Sequence, residues 1–380
     1  MAEAIAGSGP GHSGLQEPAA AIGLSQAALI AGFDAGQTHT TCRLAEKHSG
    51  RVLAEGEGPG VSHLAAAAGE ERFRQALIVS LRDALRRLHG GGSAADRSPE
   101  PMASGDPGAP GERLFCPRLG GHTGGPALLA AAVGASGIER DSAVELRGLA
   151  LAAEALALEP GRLWVGGDER TALRGAFPEG AGIIVISGTG TIALGRDGQG
   201  REHRCAGWGW LLDGAGSAFD IGRDGLALTL EMADGRQPDG PLRQRLWQAL
   251  DLDPADAGAP QAIKARAVSA GFVPSGLAAL APPVEEAAAA GDGVALTILR
   301  RHGEALAESV AAVARALDLI APPVAALGGA ISHLPLFRRQ FEQALADRLP
   351  GACLGAPAGD AACGALAIAR ELAEGVPSAG

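Results

Sequence analysis

The sequence predicts an α/β protein made of two similar halves, and two observations carry that prediction. A glycine- and threonine-rich hairpin occurs twice, at residues 30–44 and again at 183–195. Asp34 and Ser187 occupy equivalent places in the two copies, about one domain length apart. Short apolar runs also alternate with amphipathic segments, as expected for strands and helices in turn. With 380 residues, the chain is long enough for two domains that hold a ligand between them.

Three strands and a helix are predicted to open the first half. Apolar or β-branched residues between small-residue turns place the strands at 29–35, 40–45 and 51–55. A helix is expected over about 70–88, ending at Gly90, because apolar side chains recur there at helical spacing. Those apolar positions are Phe73, Leu77, Leu81, Leu85 and Leu88.

The rest of the first half is predicted to be a surface insertion followed by a strand, a helix and a strand. Residues 90–112 hold Gly, Ser, Pro, Asp and Glu with almost no apolar anchor, which is typical of a disordered segment. The strands are expected at 113–119 and 162–165, with a helix at 145–158 between them. Residues 1–27 contain no Lys or Arg and no continuous apolar stretch, which indicates a loose tail.

The second half repeats the scheme of the first. Three strands are expected from 182 to about 206, followed by a helix after Ser217 and a long helical region. A strand at 324–327 and a final helix at 361–372 complete it, and this helix is expected to pack back on the first domain. The predicted division is a tail at 1–27, a first domain at 28–178 and a second domain at 179–373.

Charge and composition exclude several classes of function. The 43 acidic and 32 basic residues give a net charge of −11, which opposes binding to duplex nucleic acid. The apolar runs are too short to cross a bilayer, so no membrane partner is expected. Together with the loose N-terminal tail, the lack of such a run predicts a cytoplasmic location. Five cysteines without a C-x-x-C pair indicate reduced, mostly buried thiols.

Both hairpins carry the residue types of a phosphate-binding turn. Small turn residues expose backbone N–H groups and hydroxyls and let a phosphate chain approach the backbone. Two such turns facing each other would clamp a nucleotide, although a lone Gly/Thr hairpin is often purely structural. The candidate phosphate-binding residues are Gly36, Gln37 and Thr38 in the first copy and Ser187, Gly188, Thr189, Gly190 and Thr191 in the second.

The second copy also satisfies a dinucleotide-binding pattern, G-x-G-x-x-A at residues 188–193. That pattern requires a helix that begins at the glycines and an acidic residue about 20 positions later. Residues 191–194 instead have the character of a strand, which ends at Asp197 and Gly198. A hairpin is therefore the favoured prediction.

Four motifs, in order, resemble the BadF/BadG/BcrA/BcrD-type ATPase and N-acetylglucosamine kinase family over about residues 28–373. They are Asp34-Ala-Gly-Gln-Thr-His-Thr40, Ser187-Gly-Thr-Gly-Thr191, the segment 206–222 and the turn Leu327-Gly-Gly-Ala330. The resemblance implies two duplicated ribonuclease H-like (actin-like ATPase) domains with a nucleotide cleft between them. It also implies ATP and Mg²⁺ as cofactors and a small-molecule sugar as partner.

The resemblance further implies a role for individual residues. Asp34 would hold Mg²⁺, through water because that ion keeps much of its hydration shell. Gly328 and Gly329 would receive the adenosine. Asp168, between a strand and an Ala-rich helix, corresponds to the family's catalytic base for the attacking hydroxyl. A plain capping or turn role stays open for both aspartates.

The residues expected on the sugar side depart from the family pattern. The family's sugar-binding Asp aligns with Gly214, while Asp213 stands one position earlier, and its substrate-loop Asn aligns with Ser62 or His63. His122 could equally be a solvated loop histidine. The substrate-binding candidates are Ser62, His63, Gly121, His122 and Asp213.

The leading prediction is an ATP-dependent kinase that phosphorylates an amino sugar, with N-acetylglucosamine as the first choice. One alternative is an ATPase activator of a radical dehydratase, which would need a cysteine-bound iron–sulfur cluster. The other is a non-catalytic nucleotide- or sugar-sensing module, suggested by Gly214. The predicted partners are the sugar and ATP, with neither nucleic acid nor membrane, and the chain could form a homodimer.

Overall fold

A computed structural model describes residues 28–90, 127–269, 272 and 274–375 of the chain. The strands among these residues form two five-stranded sheets. The tail at 1–27, the insertion beyond Gly90 and the strand expected at 113–119 lie outside the described residues. Within the described ranges, no helix is both long and apolar enough to cross a membrane.

The first sheet has the strand order β3-β2-β1-β4-β5. The first three strands pair antiparallel, and β4 and β5 then add in parallel to β1. The strands are β1 (Ala28–Ala35), β2 (His39–Glu46), β3 (Val52–Pro59), β4 (Ala127–Ala135) and β5 (Leu163–Gly167). The helices of this half are α1 (Gly69–His89), α2 (Ala143–Leu156) and α3 (Asp168–Ala176).

The second sheet repeats this topology, with the order β10-β9-β6-β7-β8. Again three strands form an antiparallel meander, and two further strands add in parallel to its first strand. Its strands are β6 (Gly182–Ser187), β7 (Thr191–Arg196), β8 (Glu202–Ala206), β9 (Pro323–Leu327) and β10 (Cys353–Gly355). The predicted α/β class and the duplicated strand scheme are therefore confirmed.

Nine helices follow α3 among the described residues of the second half. Only one of them, the last, returns to the first sheet. They are α4 (Ala218–Ala233), α5 (Pro241–Ala249), α6 (Ala259–Ala267), α7 (Ser275–Ala278), α8 (Ala281–Ala289), α9 (Gly293–Ala316), α10 (Gly329–His333), α11 (Pro335–Arg348) and α12 (Ala361–Glu374).

Two helices, α3 and α12, lie between the sheets. On α12, Ala365 and Ile368 pack against Ile30 and Ala132 of the first sheet. On α3, the apolar side chains pack against the second sheet in a cluster that contains Ile184. The opposite face of β1 meets α1 and α2, so this strand is buried on both sides. The ends of β1 and β5 therefore open towards the layer between the two halves.

Two elements of the first sheet differ from the prediction. β4 was missed because its Ala-rich sequence lacks the polar alternation of a half-buried strand and holds a single β-branched residue, Val133. β3 runs on to Pro59 rather than stopping at Glu55, since its pairing with β2 continues as far as His39. The glycines at the end of β3 are uncommon in strands, so the sequence did not predict that the strand continues there.

Candidate active site

The predicted aspartates of the first half lie at one edge of its sheet. Asp34 pairs in register with Gly134 of β4, which in turn pairs with Gly166 of β5. Asp168 follows β5 directly as the first residue of α3. Because the three strands are parallel, their carboxyl ends meet, with only the Gly134 position of β4 between the two aspartates.

A cavity of about 300 Å³ lies at this edge and is lined by both halves of the protein. The first half contributes Asp34 and Asp168, and the second contributes Ile186 of β6 and Leu327 of β9. Asp360, at the start of α12, completes the polar part of the wall. Three carboxyl groups therefore face the same cavity as the ends of β6 and β9, which lead into the second and fourth motifs.

The environment of Asp34 disfavours its charged form. The pKa of this carboxyl is raised from 3.8 to about 6, first by burial and then by the neighbouring Asp168 and Asp360, against opposing effects of His39 and Arg43. A cation beside Asp34 would relieve this accumulation of negative charge. The donor set therefore suits a hydrated Mg²⁺.

Asp168 is also a buried carboxyl whose pKa is raised. The cause is burial, which hydrogen bonds from its own backbone and from Glu169 partly oppose. Glu169 itself has a pKa raised to about 7, first by burial and then by the charge of Asp168. A carboxyl whose pKa lies above its ordinary value can take up a proton near neutral pH, as a general base must.

Asp360 was missed by the sequence analysis. It caps α12 by accepting the Cys363 N–H at 2.9 Å, and both of its oxygens accept hydrogen bonds from the Arg43 guanidinium. Burial alone would raise the pKa of Asp360, but the Arg43 hydrogen bonds lower it below the usual range. A capping Asp before an apolar helix is a readable signal, whereas its pairing with Arg43 on a distant strand is not.

The first hairpin turn projects its predicted phosphate-binding residues into solvent. Gln37 and Thr38 are exposed between β1 and β2. Gly36 closes the turn by donating its N–H to the His39 carbonyl at 3.1 Å. The Thr38 hydroxyl lies 3.0 Å from the His39 Nδ1.

The second hairpin is a true β-hairpin, with Ile186 of β6 opposite Ile192 of β7. No helix begins at its glycines, so the dinucleotide-binding alternative is wrong. The Ser187 hydroxyl is buried and donates to the Gly216 carbonyl at 2.6 Å. Thr191 donates its hydroxyl to the Ile186 carbonyl at 3.2 Å, while Thr189 is exposed at the tip.

The turn of the fourth motif packs on the start of the second. Gly328 has a φ of 97°, which favours glycine, and a Cβ at this position would lie 2.4 Å from the Ser187 carbonyl oxygen. Gly329 begins α10. Gly328 and Gly329 are thus adjacent to the turn formed by residues 187–191.

Comparison with known proteins decides the family. The model of the BadF/BadG/BcrA/BcrD ATPase family matches residues 31–369. The chain belongs to this family. An N-acetylmuramic acid/N-acetylglucosamine kinase of Clostridium acetobutylicum is 31% identical over 212 residues, which are 55% of this chain and 68% of that relative.

Solved structures show the same fold over nearly the whole chain. One from Chromobacterium violaceum, provisionally described as an N-acetylglucosamine kinase, has a TM-score of 0.62 and 30% identity, covering 90% of this chain and 98% of its own. A second with the same provisional description, from Porphyromonas gingivalis, has a TM-score of 0.59 and 17% identity, covering 91% and 98%. This second likeness bears on the fold alone.

The described sugar-side candidates of this BadF/BadG family member lie on two loops, with Ser62 and His63 on one and Asp213 on the other. The Ser62 Oγ is buried without a hydrogen-bond partner among the described residues, and the His63 Nδ1 accepts the Ala65 N–H at 3.2 Å. Asp213 is half-buried in the loop that precedes α4. Gly121 and His122 lie outside the described residues.

Within the described ranges, no group of three or more His, Cys, Asp or Glu side chains is arranged to hold a metal ion. Any Mg²⁺ would therefore draw most of its ligands from water and nucleotide phosphates, as this ion commonly does.

The four described cysteines include the buried Cys42 and the exposed Cys353, and none of them forms a disulfide.

Proposed function

We propose that this protein is an ATP-dependent kinase of an amino sugar, with N-acetylglucosamine as the first candidate acceptor. The observation that carries the proposal is the cavity in which Asp34 and Asp168 meet the strand ends of the second half. Family membership supports it, because the relatives compared above are named or provisionally described as amino-sugar kinases. The proposed site of action is the cytoplasm.

Asp168 is the proposed base. It accepts the proton of the attacking sugar hydroxyl while the new O–P bond forms and the bond between the γ-phosphorus and the β,γ-bridging oxygen breaks, giving a sugar phosphate and ADP. Its position at the N-terminus of α3 suits a carboxylate, because the helix dipole stabilises negative charge there. Burial raises the pKa of Asp168, which makes its carboxylate a stronger base than an exposed one.

The turn residues are the proposed phosphate contacts. Gly36, Gln37 and Thr38 would face the nucleotide from the first half, and Thr189 with the backbone of residues 187–191 would face it from the second. Gly328 and Gly329 would lie beside the adenosine. A bound magnesium ion would supply positive charge that offsets the charge on the phosphates. Asp34 would orient water bound to that ion.

A sensing module that binds ligand without phosphoryl transfer is the second candidate. Gly214 favours it, because the family's sugar-binding Asp is absent at this position. A site that has lost a hydrogen-bonding group loses affinity and positioning for the hydroxyl it served. Asp213 is the proposed replacement, one residue earlier in the same loop.

The two candidates are separated by assaying the purified protein with Mg²⁺-ATP. ADP release is measured with N-acetylglucosamine, N-acetylmuramic acid, glucosamine and, as a control lacking nitrogen, glucose. The kinase proposal expects sugar-dependent ADP release with at least one amino sugar, at a rate above that with glucose. A rise in melting temperature with an amino sugar but no phosphorylation would favour the sensing module.

A further inference from the structure

A buried line of hydrogen bonds runs beneath the loop at residues 213–217. The Asp224 carboxylate on α4 lies 3.0 Å from the His302 Nε2 on α9. The His302 Nδ1 accepts the Gly216 N–H at 3.0 Å. The Gly216 carbonyl then accepts the Ser187 hydroxyl at 2.6 Å, where β6 ends and the second hairpin turn begins.

The proton on His302 is fixed by its neighbours. A carboxylate can only accept, so Asp224 holds the proton on Nε2 and leaves the Nδ1 lone pair for Gly216. Burial, followed by the nearby Arg301, lowers the pKa of His302 to about 4, which keeps the ring neutral. The charged groups around it are Arg301, which pairs with Asp224, and Asp220 and Arg223 on α4.

Both backbone polar groups of Gly216 are hydrogen-bonded to side chains. Its φ of 94° lies in the left-handed region that favours glycine, and a Cβ here would lie 3.1 Å from Leu306. Its N–H is bound to α9 and its carbonyl to Ser187. The loop that carries Asp213 is thereby tied to the turn proposed to bind phosphate.

We infer that His302 and Asp224 are positioning residues, which act through Gly216 to hold the 187–191 turn and the 213–217 loop in the arrangement that ATP and the sugar require. The inference rests on the proposed function. Neither residue lines the cavity of the three carboxyl groups. Their effect on binding would pass through the Gly216 peptide groups and the Ser187 hydroxyl.

A matched pair of amide substitutions tests this inference. In His302→Asn the amide oxygen takes the place of Nδ1 and can accept the Gly216 N–H, whereas in His302→Gln the amide lies near the place of Nε2 and leaves Gly216 unpaired. Binding of Mg²⁺-ATP is measured by calorimetry well below the melting temperature, without any sugar. We expect about tenfold weaker binding for His302→Gln and nearly wild-type binding for His302→Asn.

Asp224→Asn is a nearly isosteric second variant, in case the His302 variants do not fold. Its amide N–H can donate to Nε2 and move the ring proton to Nδ1, which then cannot accept the Gly216 N–H. The same weakening is expected, together with a raised sugar KM. Equal Mg²⁺-ATP affinities for wild type, His302→Gln and Asp224→Asn would overturn the inference alone. A wild type that binds no Mg²⁺-ATP would overturn the proposed function and this inference with it.

Discussion

Three carboxyl groups share one cavity, yet their surroundings shift their pKa values in opposite directions. Arg43 binds both oxygens of Asp360 and keeps that group charged. Among the described residues no arginine pairs with Asp34 or Asp168, and burial raises the pKa of each. The site therefore combines one carboxyl whose pKa is lowered with two whose pKa is raised, and groups with such perturbed pKa values cluster at functional sites.

Asp34 should accordingly make the ligand-free protein less stable at high pH. Its folded pKa of about 6 exceeds the ordinary value of 3.8, so the ionisation of Asp34 lowers the free energy of unfolding as the pH rises from 3.8 to 6, and the full loss remains above pH 6. Asp34→Asn should raise the free energy of unfolding by on the order of 2 kcal/mol at pH 8, with little of this gain left at pH 4. Thermal unfolding at both pH values measures the difference.

The control for this experiment is Asp141→Asn, which changes an exposed aspartate that does not line the cavity. It should leave the melting temperature nearly unchanged at both pH values. At each pH, the melting temperature of Asp34→Asn is compared with that of wild type. A smaller gain at pH 8 than at pH 4 would contradict the proposed environment of Asp34.

At the scale of elements, α3 and α12 form a close helix pair between the sheets. Gly364 of α12 faces the backbone of α3, where an added Cβ would lie 1.9 Å from the Thr171 carbonyl oxygen. Because Asp168 begins α3 and Asp360 caps α12, the spacing of these helices also sets the spacing of the two carboxyl groups. Packing here thus bears on the geometry of the site.

Gly364→Ala should destabilise the protein although alanine is the better helix former. Alanine in a helix interior ordinarily gains about 1 kcal/mol over glycine. The clash with a backbone atom should outweigh this gain and cost about 1–3 kcal/mol net. Urea unfolding provides the measurement, with Gly293→Ala as the control, since Gly293 begins α9 and has no atom within 4 Å of an added Cβ. If Gly364→Ala is as stable as wild type or more stable, α3 and α12 are not packed as closely as the contact between Gly364 and Thr171 indicates.

At the scale of the whole molecule, the duplicated topology could be predicted because the hairpin repeat is local and marked by small residues. Asp34 was predicted near the end of an apolar strand and Asp168 just after one, and β1 and β5 hold them in these places. β4 was hidden because an alanine-rich strand buried on both faces has neither a strand period nor strand propensity. The Arg43–Asp360 pair and the Asp224–His302–Gly216 contacts join distant segments, which no local pattern reveals.

The proposal that this chain transfers phosphate to an amino sugar with Asp168 as base is tested most directly by single-turnover phosphoryl transfer. Wild type and Asp168→Asn are mixed with Mg²⁺-ATP and N-acetylglucosamine, and sugar phosphate is followed in time, while calorimetry measures Mg²⁺-ATP binding to each. We expect similar ATP affinities and transfer about 10²–10⁴-fold slower in Asp168→Asn. Loss of ATP binding in Asp168→Asn, or transfer at the wild-type rate, would contradict the account.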